Sequence, residues 1–343
     1  MRKLLCVLAA AVLLFTCAFA EEDTSVIASF DGGVITFNEV YDEFTQMAEL
    51  YSLFYNFDVM SDPATSLQLQ QDIVDEMLRD RIMYAYIEKE GVVLMTPERE
   101  AELTAYAQRE YQALLDETVR YYLEEGLDEA SALPLAEQDL VDSGMDVDSL
   151  IDFYITNEKT ENAHAYLAGE VTVNEADVRD LYDWRLEEDT AYYSEAPWEY
   201  AFDALFGDAL LTYIPEGMRE VRVYSFDTAE EAESALNGML SGEYMEFDPY
   251  LLCANCYLLE DSLLEAALAL ENPGESTGIL PSSEGFAVIT YVGELKAGPV
   301  AYEEVYETLY SEVELSLIEG AFENKLDNLI EQANVQYFWD RLG

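Results

Sequence analysis

Long segments of this chain place apolar residues at every third or fourth position, which is the spacing of one side of an α-helix. The first such segment follows the capping box Thr36-Phe-Asn-Glu39, a pattern in which both side chains satisfy free backbone N–H groups. Its apolar positions are Val40, Phe44, Met47, Tyr51 and Phe54. A periodic segment that opens with a cap predicts a helix, and similar segments recur along most of the chain.

The next helices are marked by proline at the start and glycine at the end. One is predicted from Pro63 to Gly91, and another from the Thr96-Pro97 start to Gly126. The other predicted helices before the middle of the chain cover 128–142, 147–167 and 172–188. A long C-terminal helix is predicted over 301–333.

The pattern changes after these helices. Residues 190–218 are rich in Tyr, Pro, Asp and Gly and are interpreted as a linker. A strand at 220–226, a helix that Gly242 ends, a second helix at 262–270 and two strands follow. Those two strands, Gly278–Pro281 and Gly285–Tyr291, flank a turn at Ser282-Ser283-Glu284. Together these elements predict a small α+β unit.

The C-terminal helix is too long to cover that small unit alone, so it is expected to pack back on the N-terminal helices. The segments Val26–Phe30 and Val335–Phe338 are expected to pair as strands. The predicted fold is therefore mainly α: a helical N-terminal domain, closed by the C-terminal helix, with an inserted α+β domain. The predicted boundaries are 1–20, 21–189, 190–218, 219–297 and 298–343.

Residues 1–20 have the three parts of a secretory signal peptide. Arg2 and Lys3 precede an apolar run, and Cys17-Ala-Phe-Ala20 supplies small residues before a predicted cut after Ala20. The apolar run is shorter than the roughly 20 residues of a membrane-spanning helix. Lipidation of Cys17 is the alternative, although Thr16 fits that signal poorly. The body is thus expected outside the cytoplasm, secreted or associated with the cell envelope.

The chain carries 72 acidic and 16 basic residues, for a net charge of −56. Phosphate backbones are bound by clustered Lys and Arg, so this balance excludes nucleic acid as a partner. Anionic membrane surfaces would also repel the chain, and a membrane tether is expected only if Cys17 is lipidated. The acidic residues are interpreted as a solvated surface, and with so many of them no pair identifies an acid–base site.

Few residues could support catalysis by a histidine base, because His164 is the only histidine. No G-x-S-x-G or phosphate-binding loop is present, and neither a metal nor a cofactor is expected. Cys253 and Cys256 form the motif C-A-N-C, for which three interpretations stay open: inert buried thiols, a local disulfide or a catalytic redox pair.

The order of these parts resembles the SurA/PrsA class of exported chaperone–foldases, whose members carry a parvulin-type (PpiC) prolyl isomerase domain. The resemblance rests on the start at 26–39, the helix and Thr-Pro start at 73–97, the Val171-Thr-Val-Asn-Glu175 hinge and the Pro273-Gly-Glu-Ser276 turn. It covers nearly the whole chain beyond the signal peptide. It implies an isomerase-like domain over 219–297 and binding of unfolded or extended exported polypeptides.

The departures from the family pattern lie at the implied active site. The two family histidines fall on Val223 and Ala287, and a glycine-rich loop is replaced by the short stretch 253–260. We therefore expect a degenerate parvulin-like domain without catalytic residues. The candidates for peptide binding that the resemblance implies are Leu259, Leu263, Phe247 and Phe286.

The leading hypothesis is a chaperone or foldase without isomerase activity, in which long helices rich in Tyr, Phe and Met bind extended clients. The two alternatives are an active peptidyl-prolyl isomerase that uses other residues and an extracellular interaction protein without chaperone activity.

Overall fold

The computed structural model describes residues 25–207, 210–240 and 247–342. Three predictions lie outside this range: the signal peptide 1–20 with its cut after Ala20, lipidation of Cys17 and the helix stop at Gly242. The helices are α1 Phe37–Tyr55, α2 Pro63–Glu90, α3 Pro97–Glu124, α4 Glu129–Asp142, α5 Val147–Ala168, α6 Glu175–Glu195, α7 Pro197–Phe206, α8 Ala229–Leu240, α9 Asp261–Leu268 and α10 Tyr302–Gln332. The strands are β1 Val26–Phe30, β2 Gly33–Thr36, β3 Tyr213–Ile214, β4 Arg219–Phe226, β5 Asp248–Leu252, β6 Leu280–Ser282, β7 Gly285–Glu294, β8 Gly298–Pro299 and β9 Gln336–Tyr337.

These elements confirm a mainly α protein with a small α+β part. The chain divides into two compact units. The first unit contains the residues up to Val171 and those from Ile318 onward, and the second contains Thr172–Leu317. Helix α10 contributes its first half to the second unit and its second half to the first unit.

The first unit is closed by strands from both ends of the chain. Strand β1 pairs antiparallel with β2 and with β9, where Ala28 lies opposite Tyr337. The backbone N–H of Phe338 donates to the Ile27 carbonyl at 2.8 Å, and that of Asp31 donates to the Ala333 carbonyl at 2.7 Å. The predicted pairing of the two end segments is confirmed.

Capping residues determine where the helices of the first unit begin. The Asp62 side chain accepts from the backbone of α2, and the Thr96 side chain accepts from that of α3, each just before a proline at the first helical position. Gly91 ends α2 in a left-handed conformation with φ 71°. Between α2, α5 and α10 the apolar faces pack as one buried cluster: Met83, Ile87, Ala163, Leu167, Phe322 and Leu326.

The second unit combines a four-stranded antiparallel sheet, in the order β5-β4-β7-β6, with helices α6 to α9 and the start of α10. Val178 and Tyr182 of α6 pack against Tyr302, Val305 and Leu309 of α10. Beside them, the Arg185 guanidinium donates two hydrogen bonds to the Glu312 carboxylate, at 3.1 and 2.8 Å.

Two features of the second unit differ from the sequence-based boundaries. The expected linker 190–218 contains the end of α6, helix α7 and strand β3. This segment is ordered because Tyr193, Tyr200 and Ala201 are buried in the core of the second unit. Helix α6 also belongs to this unit, although the boundary at 189 assigned it to the N-terminal helices, because its apolar side chains pack on α10.

Strand β5 was missed by the sequence analysis. It pairs with β4, with Val221 opposite Tyr250 and Val223 opposite Asp248. Its second residue is Pro249, which cannot donate a backbone hydrogen bond and is tolerated because β5 is an edge strand. The other strands of the sheet and the turn between β6 and β7 lie where the alternation of residues predicted them.

Gly285, at the start of β7, provides a test of this sheet. Its φ is +135°, and a Cβ atom there would lie 2.3 Å from the Phe226 carbonyl oxygen. Gly285→Ala should therefore destabilise the second unit by at least about 2 kcal/mol. Urea-dependent hydrogen exchange of peptides covering β4 and β7 measures this loss. Gly278→Ala, where a Cβ meets no atom within 4 Å, is the matched control. Equal stability of the two variants would contradict the described turn.

Candidate functional site

The implied active-site positions Val223 and Ala287 lie on one face of the four-stranded sheet. Successive residues of a strand point to opposite faces, and Val223 lies opposite Ile289 while Ala287 lies opposite Ser225. Val223 is 5% exposed and Ala287 is 1% exposed. Both belong to the same apolar core as Leu263 of α9. Neither side chain can donate or accept a proton.

Helix α7 and the end of α6 contribute to the same core, and α7 contacts the edge strand β5. Tyr193, Tyr200 and Ala201 are buried in the same core as Val223. The Tyr193 hydroxyl donates to the Asp203 carboxylate at 2.8 Å. Burial first, and this bond to Asp203 second, raise the pKa of Tyr193, so the phenol stays protonated at neutral pH. Residues of the expected linker thus belong to the core that contains the implied active-site positions.

The four predicted peptide-binding residues do not form one surface. Leu263 is buried and Leu259 is half-buried, both at the core beside Val223. Phe286 precedes Ala287 in β7 and so points to the opposite face, which helix α8 contacts. Phe247 also lies on that side, where its ring is 5.8 Å from that of Tyr224. The structure therefore brings two of the four together and separates them from the other two.

Cys253 and Cys256 follow β5 in a tight turn. The Cys256 backbone N–H donates to the Cys253 carbonyl at 3.3 Å, and Asn255 between them has a left-handed φ of 66°. Both cysteines are free thiols, each 3% exposed and part of the apolar core. A redox catalyst needs an accessible sulfur and, in the thioredoxin arrangement, a helix that starts at the first cysteine. Here the next helix starts at Asp261.

The two thiols affect each other's ionisation. Hydrogen bonding between the two thiols lowers the pKa of Cys256, burial opposes this effect, and backbone N–H groups of Leu258 and Tyr257 add to the lowering. The same hydrogen bond, and then burial, raises the pKa of Cys253. As pH rises, the pair therefore loses its first proton more easily than an ordinary cysteine does and holds its second proton more tightly.

His164 lies in the first unit, within α5, and its ring stacks on that of Phe322 at a centroid distance of 4.1 Å. Since the sequence has no other histidine, residues 172–317 contain none. No group of three or more His, Cys, Asp or Glu side chains with the spacing of a metal site occurs among the described residues. No helix in the described ranges is long and apolar enough to span a membrane.

An exposed apolar segment in the first unit was missed by the sequence analysis. It runs from Tyr51 to Met60, across the end of α1, and we call it the 51–60 segment. Leu53 is 71% exposed and Tyr55 is 74% exposed. Phe54, Phe57 and Met60 are also exposed. The signal for it is the near-continuous apolar run that extends past the helical period, in which Asp58 is the only charged residue.

The local backbone holds the 51–60 segment in place. Asn56 takes a left-handed φ of 50° and ends α1, and the Phe57 backbone N–H donates to the Tyr51 carbonyl at 3.4 Å. The Asp58 side chain then accepts from the Met60 N–H at 3.1 Å. A cavity of about 430 Å³ lies beside it, with Tyr51, Val59 and Leu69 among its lining residues. This surface can bury apolar side chains of another polypeptide.

Comparisons with known proteins give structural similarity only. No protein-family model matches the chain, and no curated protein sequence matches it. Among solved structures, the chain is similar to a SurA-like chaperone of Campylobacter jejuni, at 10% identity and a TM-score of 0.38, over 91% of this chain and 98% of that one. It is also similar to PrsA of Bacillus subtilis, at 14% identity and a TM-score of 0.28, over 91% and 94% of the two chains. A foldase PrsA of Lactococcus lactis aligns at 13% identity and a TM-score of 0.27, over 91% and 94%.

Titration of the cysteine pair tests the described turn. Because the Cys253 thiol stabilises the Cys256 thiolate, one thiolate should form below the ordinary cysteine range of about pH 8.5 as pH rises. Absorbance at the thiolate band measures this step. Cys253→Ala removes the donor and leaves burial to dominate, so the same step should move to higher pH. Two thiols that both ionise at or above the ordinary range in the native protein would contradict this geometry.

Proposed function

We propose that this protein is an extracytoplasmic chaperone or foldase-like protein that binds unfolded or extended polypeptides through its first unit. The observation that carries the proposal is the 51–60 segment, in which Leu53 and Tyr55 are each more than 70% exposed. Burying one such side chain stabilises a complex by roughly 1.5–3 kcal/mol. Exposed apolar side chains that form a contiguous surface often mark a site where another protein binds.

The acidic surface supports the same function. With a net charge of −56, the chain stays soluble while it presents apolar side chains. The charge also opposes binding of a second copy through the same segment. The export signal predicted for residues 1–20 and the resemblance to SurA/PrsA-type proteins favour exported polypeptides as clients.

We further propose that the second unit has no prolyl isomerase activity and is retained as a scaffold or binding surface. This part of the proposal is supported by the apolar, buried side chains at Val223 and Ala287, which lie in the same core as Tyr200. An isomerase must bind a proline ring at an open surface and stabilise a twisted amide with polar groups. Val223 and Ala287, which are buried and apolar, supply neither an open surface nor a polar group for these steps.

Suppression of client aggregation tests the first part. The double variant Leu53→Ser with Tyr55→Ser should lose most of the suppression, by several-fold in the protein concentration needed to halve light scattering of a chemically unfolded client. The control is Leu315→Ser with Tyr192→Ser, which removes the same residue types at positions 62% and 54% exposed in the second unit. Equal loss in both variants, or no suppression by the native protein, would reject the proposal.

Sedimentation of the same proteins separates the alternatives. The native chain and both double variants should sediment as the same species. If Leu53→Ser with Tyr55→Ser dissociates an oligomer, the 51–60 segment is a self-association surface. Absence of both suppression and self-association would favour an interaction protein without chaperone activity.

A protease-free assay of prolyl isomerisation tests the second part. A short peptide with one Xaa-Pro bond should relax at its uncatalysed rate, over roughly 10–100 s at 25 °C, whatever the protein concentration. Acceleration that disappears in Leu259→Ala, with the fold intact by circular dichroism, would instead establish an active isomerase. Leu259 suits this test because it is half-buried at the edge of the core.

A further inference from the structure

We propose that a second binding site in the first unit, a cavity between α3, α4 and α5, takes an apolar side chain from a positively charged, extended segment of a client polypeptide. This inference rests on the proposed function and assigns a preference in charge to it. The cavity has a volume of about 510 Å³, within the usual range of ligand pockets. We call it the α3–α5 cavity.

Apolar side chains from all three helices form its walls. They include Leu114 and Tyr121 of α3, Leu140 of α4, and Leu150 of α5, with Met145 in the connection between α4 and α5. Leu140 and Leu150 are buried, whereas Tyr121 is 59% exposed at the opening. A leucine- or phenylalanine-sized group would cover these side chains and replace water at an apolar surface.

Only acidic residues supply charge to the lining. Glu110 and Glu117 of α3 and Asp139 of α4 border the cavity, and no lysine or arginine does. The Tyr122 hydroxyl donates to the Asp139 carboxylate and holds it in position. The surrounding segment 97–168 has 18 acidic and four basic residues. An apolar group enters this cavity most favourably when lysine or arginine flanks it in the same chain.

The same charges argue against other occupants. A second copy of this chain brings its own net charge of −56 to an acidic border. An acidic client would be repelled in the same way. The 51–60 segment has one charged residue in ten and therefore no such preference for charge. It binds apolar stretches in general, whereas the α3–α5 cavity selects apolar stretches with basic neighbours.

Three labelled peptides test the preference. The first has one central leucine between lysines, the second replaces that leucine by serine, and the third replaces the lysines by glutamates. Fluorescence anisotropy with the native protein should show binding of the first alone, weakened by sodium chloride. Equal binding of the first and second peptides would show charge attraction without use of the cavity. Equal binding of the first and third would overturn the charge preference.

Two threonines of α3 provide a matched pair of variants. Thr118 lines the cavity and its hydroxyl donates to the Leu114 carbonyl at 2.9 Å. Thr104 makes the same bond to the Glu100 carbonyl at 2.8 Å and lies outside the cavity. Thr118→Phe should fill the cavity and weaken binding of the lysine–leucine peptide about tenfold or more, while Thr104→Phe leaves it unchanged. Equal affinity of the two variants would overturn the proposal.

If the phenylalanine of Thr118→Phe disturbs folding, a variant that changes only charge tests the same site. Glu117→Gln removes a lining carboxylate and should weaken the same peptide about two- to fivefold. Glu137→Gln removes an equal charge from a residue of α4 that does not line the cavity, and should change affinity less. Identical losses in both variants would mean that overall charge, not the cavity, attracts the peptide.

The outcomes separate this inference from the proposed function. If Thr118→Phe loses the peptide but keeps suppression of aggregation of an apolar client, both stand. If the native protein suppresses aggregation but does not distinguish the three peptides, only the α3–α5 cavity is rejected. If it binds the lysine–leucine peptide in the cavity but suppresses no aggregation, the site stands and the chaperone function fails.

Discussion

The pairing of β1 with β9 is the constraint on which the first unit depends. It joins the first described residues to the last ones, through backbone bonds such as that from Phe338 to Ile27. The buried cluster of Ile27, Ile35, Val40 and Phe44 includes Ala333 and Leu342 from the C-terminal end. The core next to it requires Phe322 and Leu326. The N-terminal helices therefore have no complete apolar core until the end of α10 packs against them. The unit that carries the 51–60 segment thus folds only when residues from both ends of the chain are in place.

The helices could be predicted because their signals are local. Capping residues such as Asp62 and Thr96 mark where several of them begin, glycines such as Gly91 mark where others end, and the apolar period needs no knowledge of partners. The elements that were missed depend on tertiary contacts. Helix α7 is short and lies in a Tyr- and Pro-rich segment, and it is stabilised by burial of Tyr200 and Ala201. Strand β5 carries a proline and exists because β4 offers it an edge.

The candidate sites also include features that could be predicted from the sequence and features that could not. That Val223 and Ala287 are apolar could be read directly from the sequence, whereas the contribution of α7 to their core could not. The separation of Phe286 from Leu263 was within reach of the sequence, because Phe286 and Ala287 are neighbours in a strand and must face opposite ways. The α3–α5 cavity could not be predicted, since it is the space left between three helices and depends on how their side chains interlock.

The contacts between α6 and α10 have a consequence for how the protein assembles. Val178 lies near the start of the second unit and Leu309 near its end, and the two pack together. Joining the ends of an unfolded loop as long as Thr172–Leu317 loses roughly 4 kcal/mol of chain entropy. Once the second unit has folded, this entropy has already been lost and is not lost again when β1 pairs with β9. Folding of the second unit therefore lowers the entropic cost of pairing the two chain ends, whether or not the unit binds a ligand.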